Sequence, residues 1–104
     1  MDTIELTSNH DGCRITTHPG QRILVRLAEV PSTGYRWRAL PGAEVIREDF
    51  ASDSATGIGG GGMRTFTIVA GEAAEELRFE LIRDWLPEMP ERTFCCHIEP
   101  ALNP

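Results

Sequence analysis

A chain of 104 residues holds one domain with a single core and leaves little room for a second. An apolar share of 40% and a charged share of 25% are those of an ordinary globular domain and argue against disorder or low complexity. Sixteen acidic residues against ten basic ones, a net charge of −6, with no basic stripe, argue against nucleic acid and against an anionic membrane surface as partners.

Alternation of apolar and polar residues is the dominant pattern along the chain. Ile4 and Leu6 alternate with Thr3, Glu5 and Thr7, and a shorter run from Cys13 to Thr17 follows the turn residues Asn9-His10-Asp11-Gly12. After His18-Pro19-Gly20, Ile23, Val25 and Leu27 alternate with Arg22, Leu24 and Arg26. Short candidates then run from Tyr35 to Ala39 and from Val45 to Phe50, separated by Pro41-Gly42. Phe66, Ile68 and Ala70, then Leu77, Phe79 and Leu81, then Phe94, Cys96 and Ile98 complete the series. β-branched and aromatic residues fill the apolar slots, and no helix of ten or more residues stands out. This spacing predicts an all-β domain over 1–104, an antiparallel sandwich or barrel of about seven or eight strands.

No apolar run approaches the ~20 residues of a membrane span. The start, Met1-Asp2-Thr3-Ile4-Glu5, is acidic and alternating rather than a signal peptide. A cytoplasmic protein, or a secreted form lacking its leader, is expected. Three cysteines, Cys13, Cys95 and Cys96, are an odd count without repeated spacing, which argues against a disulfide framework. Adjacent strand residues point to opposite faces, so Cys95 and Cys96 are not expected to bond. One buried thiol, one half-exposed thiol and no redox role are expected.

Enzymatic features are weak. Cys96 and His97 diverge on a strand and cannot act as a nucleophile and base pair. His10, His18 and His97 are scattered, with no metal-ligand spacing. The run Gly59-Gly60-Gly61-Gly62 lacks the Lys-Ser or Lys-Thr of a phosphate loop and has no helix after it. No cofactor, metal or catalytic residue is expected, and the chain is not expected to be an enzyme. A small thiol enzyme using Cys95 or Cys96 is the most distant alternative.

Three stretches do not fit short hairpins: Val30 to Tyr35, Ala51 to Gly62, and Arg83 to Arg92. Long loops in a small domain concentrate function. In the first, Pro31 stiffens the chain, Gly34 permits a positive φ, and Ser32 and Thr33 offer hydroxyls at the tip. In the second, four glycines let another backbone approach closely. In the third, Arg83 and Trp85 are of the types that dominate binding hot spots. Trp37, in phase with Tyr35, reads as core. Each loop also has a plain interpretation: a β-turn, a flexible linker, and an indole folded back over the core.

The combination is more specific than its parts. Val30-Pro31-Ser32-Thr33-Gly34-Tyr35-Arg36-Trp37, the glycine run leading to Phe66, and Arg83-Asp84-Trp85 leading to Phe94 occur in order from about Gly20 to Ile98. This arrangement resembles chagasin-type inhibitors of papain-like cysteine proteases. Val30 stands where that family has asparagine, and Asp84 where it has proline. The resemblance implies an immunoglobulin-like fold whose three loops lie side by side and reversibly occlude a protease cleft. By it, Pro31, Ser32, Thr33 and Gly34 enter the active-site groove, with Thr33 nearest the catalytic thiol. Gly59, Gly60, Gly61 and Gly62 lie along one side, and Arg83 and Trp85 grip the other. The expected partner is a papain-like cysteine protease bound by a monomer. The principal alternative is an immunoglobulin-like interaction or adhesion module with a non-protease partner.

Overall fold

Every alternating run becomes a strand, because only a sheet places each second side chain on one face. The computed structural model describes residues 2–42, 44–52 and 61–101. Its eight strands are β1 (Ile4–Thr7), β2 (Cys13–Thr17), β3 (Arg22–Glu29), β4 (Tyr35–Ala39), β5 (Glu44–Ser52), β6 (Gly62–Val69), β7 (Glu75–Arg83) and β8 (Arg92–Pro100). They form two four-stranded sheets, β1-β3-β6-β5 and β2-β8-β7-β4. The result is the immunoglobulin-like sandwich. Among the described residues, no helix is long and apolar enough to cross a membrane.

The six strand pairings are not all alike in direction. The inner pairs are antiparallel, but β1 runs parallel to β3 and β2 runs parallel to β8. A purely antiparallel sandwich is therefore not what forms. After β1 the chain crosses to the other sheet through a single 3-10 turn, Ser8–His10, capped by the Thr7 hydroxyl. Both short strands thus join as outer strands running with their neighbours. Alternation reports which face a side chain takes, not the direction of the strand beside it.

The core sits between the sheets. Leu6, Ile23, Val25, Leu27, Phe66 and Ile68 face inward from one sheet, and Trp37, Leu77, Phe79, Phe94, Cys96 and Ile98 from the other. Phe79 is the aromatic centre, with ring centroids 4.7 Å from Phe66 and 6.0 Å from Phe94. On β5 a bulge between Val45 and Arg47 breaks the register and leaves Ile46 exposed.

Replacing Phe79 with alanine removes the central ring and leaves a cavity. Phe79→Ala is expected to lower the unfolding free energy by about 3–5 kcal/mol in urea denaturation. Arg78→Ala, one residue away on the solvent face, is expected to change it by less than ~0.5 kcal/mol.

Candidate functional site

Pairing register decides which loops meet. Glu29 at the end of β3 and Ser52 at the end of β5 both lie opposite Gly62 at the start of β6. In the other sheet, Tyr35 at the start of β4 lies opposite Arg83 at the end of β7. Hence the 30–34 connection, the segment entering β6 and the 84–91 connection all leave from one pole of the sandwich.

At this pole a buried ion pair ties the strand ends together. Glu29 is only 3% exposed. Its carboxylate accepts from Arg64 Nε at 2.8 Å and Nη2 at 2.7 Å, and from the Trp37 backbone N–H at 2.8 Å. Arg64 also donates to Glu48 Oε2 at 2.9 Å and stacks 5.2 Å from the centroid of the Phe50 ring. Trp37 Nε1 donates to the Ala28 carbonyl at 2.8 Å. The two strands flanking the 30–34 loop are thereby fastened to each other, to β6 and to β5. Neither Glu29 nor Arg64 was singled out from sequence, although a signal existed. Glu29 continues the inward phase of Ile23, Val25 and Leu27, and Arg64 that of Phe66 and Ile68. Charges at inward positions of two strands imply a partner for each.

The 30–34 loop is a 3-10 turn, Pro31–Thr33, entered from extended Val30 and closed by Gly34 at φ +83°. Val30 supplies no side-chain cap. Thr33 does this work instead: its hydroxyl donates to the Val30 carbonyl at 2.7 Å and accepts from the Tyr35 N–H at 3.2 Å. Ser32 and Thr33 are both exposed at the tip, and the Thr33 hydroxyl is engaged within the loop.

Arg83 and Trp85 meet this loop from the end of β7, which pairs with β4. The Arg83 guanidinium carbon lies 4.3 Å from the Tyr35 ring centroid and 5.8 Å from that of Trp85, and its Nε points at the Thr33 carbonyl 3.4 Å away. A Cβ on Gly34 would fall 2.8 Å from Trp85 Cη2, so the indole rests on the bare glycine. Trp85 keeps 66% of its surface exposed and does not cap the core. On the other flank, a Cβ on Gly61 would come within 3.0 Å of both the Glu29 carbonyl and Val30 Cγ2. One on Gly62 would collide with the Ala51 carbonyl and the Phe50 ring. The absent side chains at Gly61 and Gly62 thus serve close packing inside the protein. Gly59 and Gly60 lie outside the described residues.

Of the large apolar side chains left exposed, Val30, Trp85, Leu86 and Met89 belong to these loops, and Ile46 alone lies elsewhere among the described residues. Leu86 and Met89 were missed in the sequence, where a proline-broken segment has no periodicity to read.

The thiols are poorly suited to catalysis. Burial, then the Glu76 carboxylate, pushes the Cys95 thiol up from its ordinary value. Burial pushes Cys96 up to about 12. His97 shares the outer face with Cys95, but its ring nitrogens face Glu76 at 3.8 Å and Glu99 at 3.3 Å. A raised thiol is mostly protonated near neutrality and a weak nucleophile. No group of three or more His, Cys, Asp or Glu residues able to hold a metal occurs among the described residues.

Fold and pole together define a β-sandwich that presents several braced loops from one end. A family model described as the chagasin family of peptidase inhibitors, I42, matches residues 16–98, and the chain belongs to that family, whose members are inhibitors rather than enzymes. Solved structures share the fold. The cysteine protease inhibitor EhICP2 from Entamoeba histolytica superposes with a TM-score of 0.83 at 16% identity, covering 95% of this chain and 96% of that one. Amebosin gives 0.80 at 23% identity, covering 97% and 100%. PbICP-C, solved in complex with falcipain-2, gives 0.58 at 14% identity, again covering 97% and 100%. No curated protein sequence matches significantly.

Removing the Glu29 carboxylate leaves the mostly buried Arg64 cation with Glu48 alone and takes the acceptor from the Trp37 N–H. Glu29→Ala is expected to cost about 3–5 kcal/mol of unfolding free energy. Glu48→Ala, at the exposed end of the same network, is expected to cost less than ~1 kcal/mol. Equal losses in urea titrations would show that Glu29 has no special part in holding the pole.

Proposed function

We propose that this protein is a reversible, non-covalent inhibitor of papain-family cysteine proteases, and that its three loops fill the active-site cleft as one wedge. The observation that carries this is the gathering of exposed apolar side chains on the loops of a single pole, above a buried ionic brace. Exposed apolar area of this kind marks interaction surfaces. Membership in a family of peptidase inhibitors supplies the class of partner, and the falcipain-2 complex of PbICP-C offers an analogy.

In this proposal Pro31, Ser32, Thr33 and Gly34 enter the cleft, with Thr33 nearest the catalytic thiol. Thr33 acts chiefly by keeping the turn in shape. The glycine segment 59–62 lies along one wall. Arg83 and Trp85 lean on the other, joined by Leu86 and Met89. Occlusion of the cleft needs no bond to the protease thiol. Bracing of the 30–34 and 84–91 loops lowers the entropy lost on binding, so an interface of the standard ~800 Å² per partner suffices.

Trp85→Ala is expected to weaken papain inhibition by one to several powers of ten, the loss of a hot spot of about 2–4 kcal/mol. Thr33→Ala is expected to weaken it more than Ser32→Ala, since it removes two hydrogen bonds that shape the turn. Dose-dependent inhibition of papain that dilution reverses is the result expected of the parent protein. No inhibition at micromolar protein would instead favour an interaction module with a non-protease partner, for which the exposed charge of Asp84 within the contact surface is the supporting feature.

A further inference from the structure

A second feature lies in the sheet opposite the glycine segment and is independent of protease binding. Cys13 is the first residue of β2, and the parallel register sets it directly opposite Cys96 of β8. Adjacent strands run about 4.7–4.9 Å apart, within the roughly 4.4–6.8 Å between Cα atoms that a disulfide spans. Both side chains turn to the core side, where Cys96 is fully buried and Cys13 packs against the cluster. Their sulfurs, those of free thiols, stand 2.9 Å apart and touch directly. Cys95 points to the opposite face, where its sulfur approaches Glu76 Oε2 at 3.7 Å.

We infer that Cys13 and Cys96 form an intramolecular disulfide by exchange with a low-molecular-weight disulfide such as oxidised glutathione. Cys13, half-buried, loses its proton to solvent, and its thiolate attacks one sulfur of the oxidant and releases one thiolate. Cys96 then loses its proton, attacks Cys13 Sγ in the mixed disulfide and displaces the second. Two protein thiols are oxidised to one disulfide, and the small disulfide is reduced to two thiols.

The clip has a definite mechanical consequence. β2 is a five-residue outer strand whose only neighbour in its sheet, among the described residues, is β8. A covalent link at its first residue fixes it there and joins positions 83 apart in the chain. Linking residues so distant restricts the unfolded chain strongly. An edge of the sandwich otherwise free to fray becomes fixed, while the loop pole keeps its composition.

Native Cys96 exchanges slowly because burial keeps its thiol protonated, so the full chain is refolded from urea in a buffer of reduced and oxidised glutathione. The expected product is a monomer with one titratable thiol, a mass loss of two hydrogens, and a peptide linking Cys13 to Cys96. Its melting temperature is expected to rise by more than about 10 °C over the reduced form, reversed by dithiothreitol. Cys95→Ser is expected to retain the link; Cys13→Ser and Cys96→Ser are expected to lack it. Three titratable thiols in the refolded protein, glutathione held on Cys13 alone, or a link through Cys95 would each overturn the inference. Papain inhibition is measured on both redox forms, so failure of the link and failure of the inhibitor proposal are read separately.

Discussion

The Glu29–Arg64 ion pair is the constraint on which the functional pole depends. A carboxylate 2% exposed beside a guanidinium 14% exposed is costly to desolvate, and such a pair contributes little stability by itself. It is tolerated because its bonding capacity is met: two contacts from Arg64, one from the Trp37 backbone, and Glu48 on the far side of the cation. What it contributes is position. β4 is the outer strand of its sheet, and the Trp37 N–H that a further strand would take is held by Glu29 instead. The two legs of the 30–34 loop are set at fixed separation, and the entry to β6 is set relative to both.

Above that brace the loops depend on one another. Thr33 shapes the turn from within, Gly34 leaves the space that the Trp85 indole occupies, and Arg83 lies between the Tyr35 and Trp85 rings. Gly61 packs against the Glu29 and Val30 backbone on the other flank. Val30 supplies no side-chain cap, and the Thr33 hydroxyl, donating to the Val30 carbonyl, holds the turn from within. Arg83 and Trp85, on either side of Asp84, lie against Tyr35 and Gly34. Much of the entropy that a flexible loop would lose on docking has therefore been lost on folding.

The sandwich was legible in the sequence because period-two patterning is a local property, and Ile23, Phe66, Phe79 and Phe94 all face where their phase placed them. Trp37 was legible as core for the same reason. Strand direction was not, since β1 and β2 carry the same alternation whether they run with or against their neighbours. Pairings that depend on register between distant strands were hidden too. Arg64 of β6 reaches Glu29 diagonally on the neighbouring strand β3, and Cys13 faces Cys96 only because β2 joins β8 in parallel. The inward phase of Glu29 and Arg64 could have been read as a demand for a buried partner. The intraloop role of the Thr33 hydroxyl could not, because it rests on the geometry of the turn.

The central claim is that the three loops act as one docking surface, and amide hydrogen exchange of the full chain with and without papain tests it most directly. Slowed exchange is expected in 30–34, in the segment entering β6 and in 83–91, with no change at the turns of the opposite pole, 18–21 and 70–74. Protection confined to one of the loops, or centred on the opposite pole or on the outer face of β5, would contradict it.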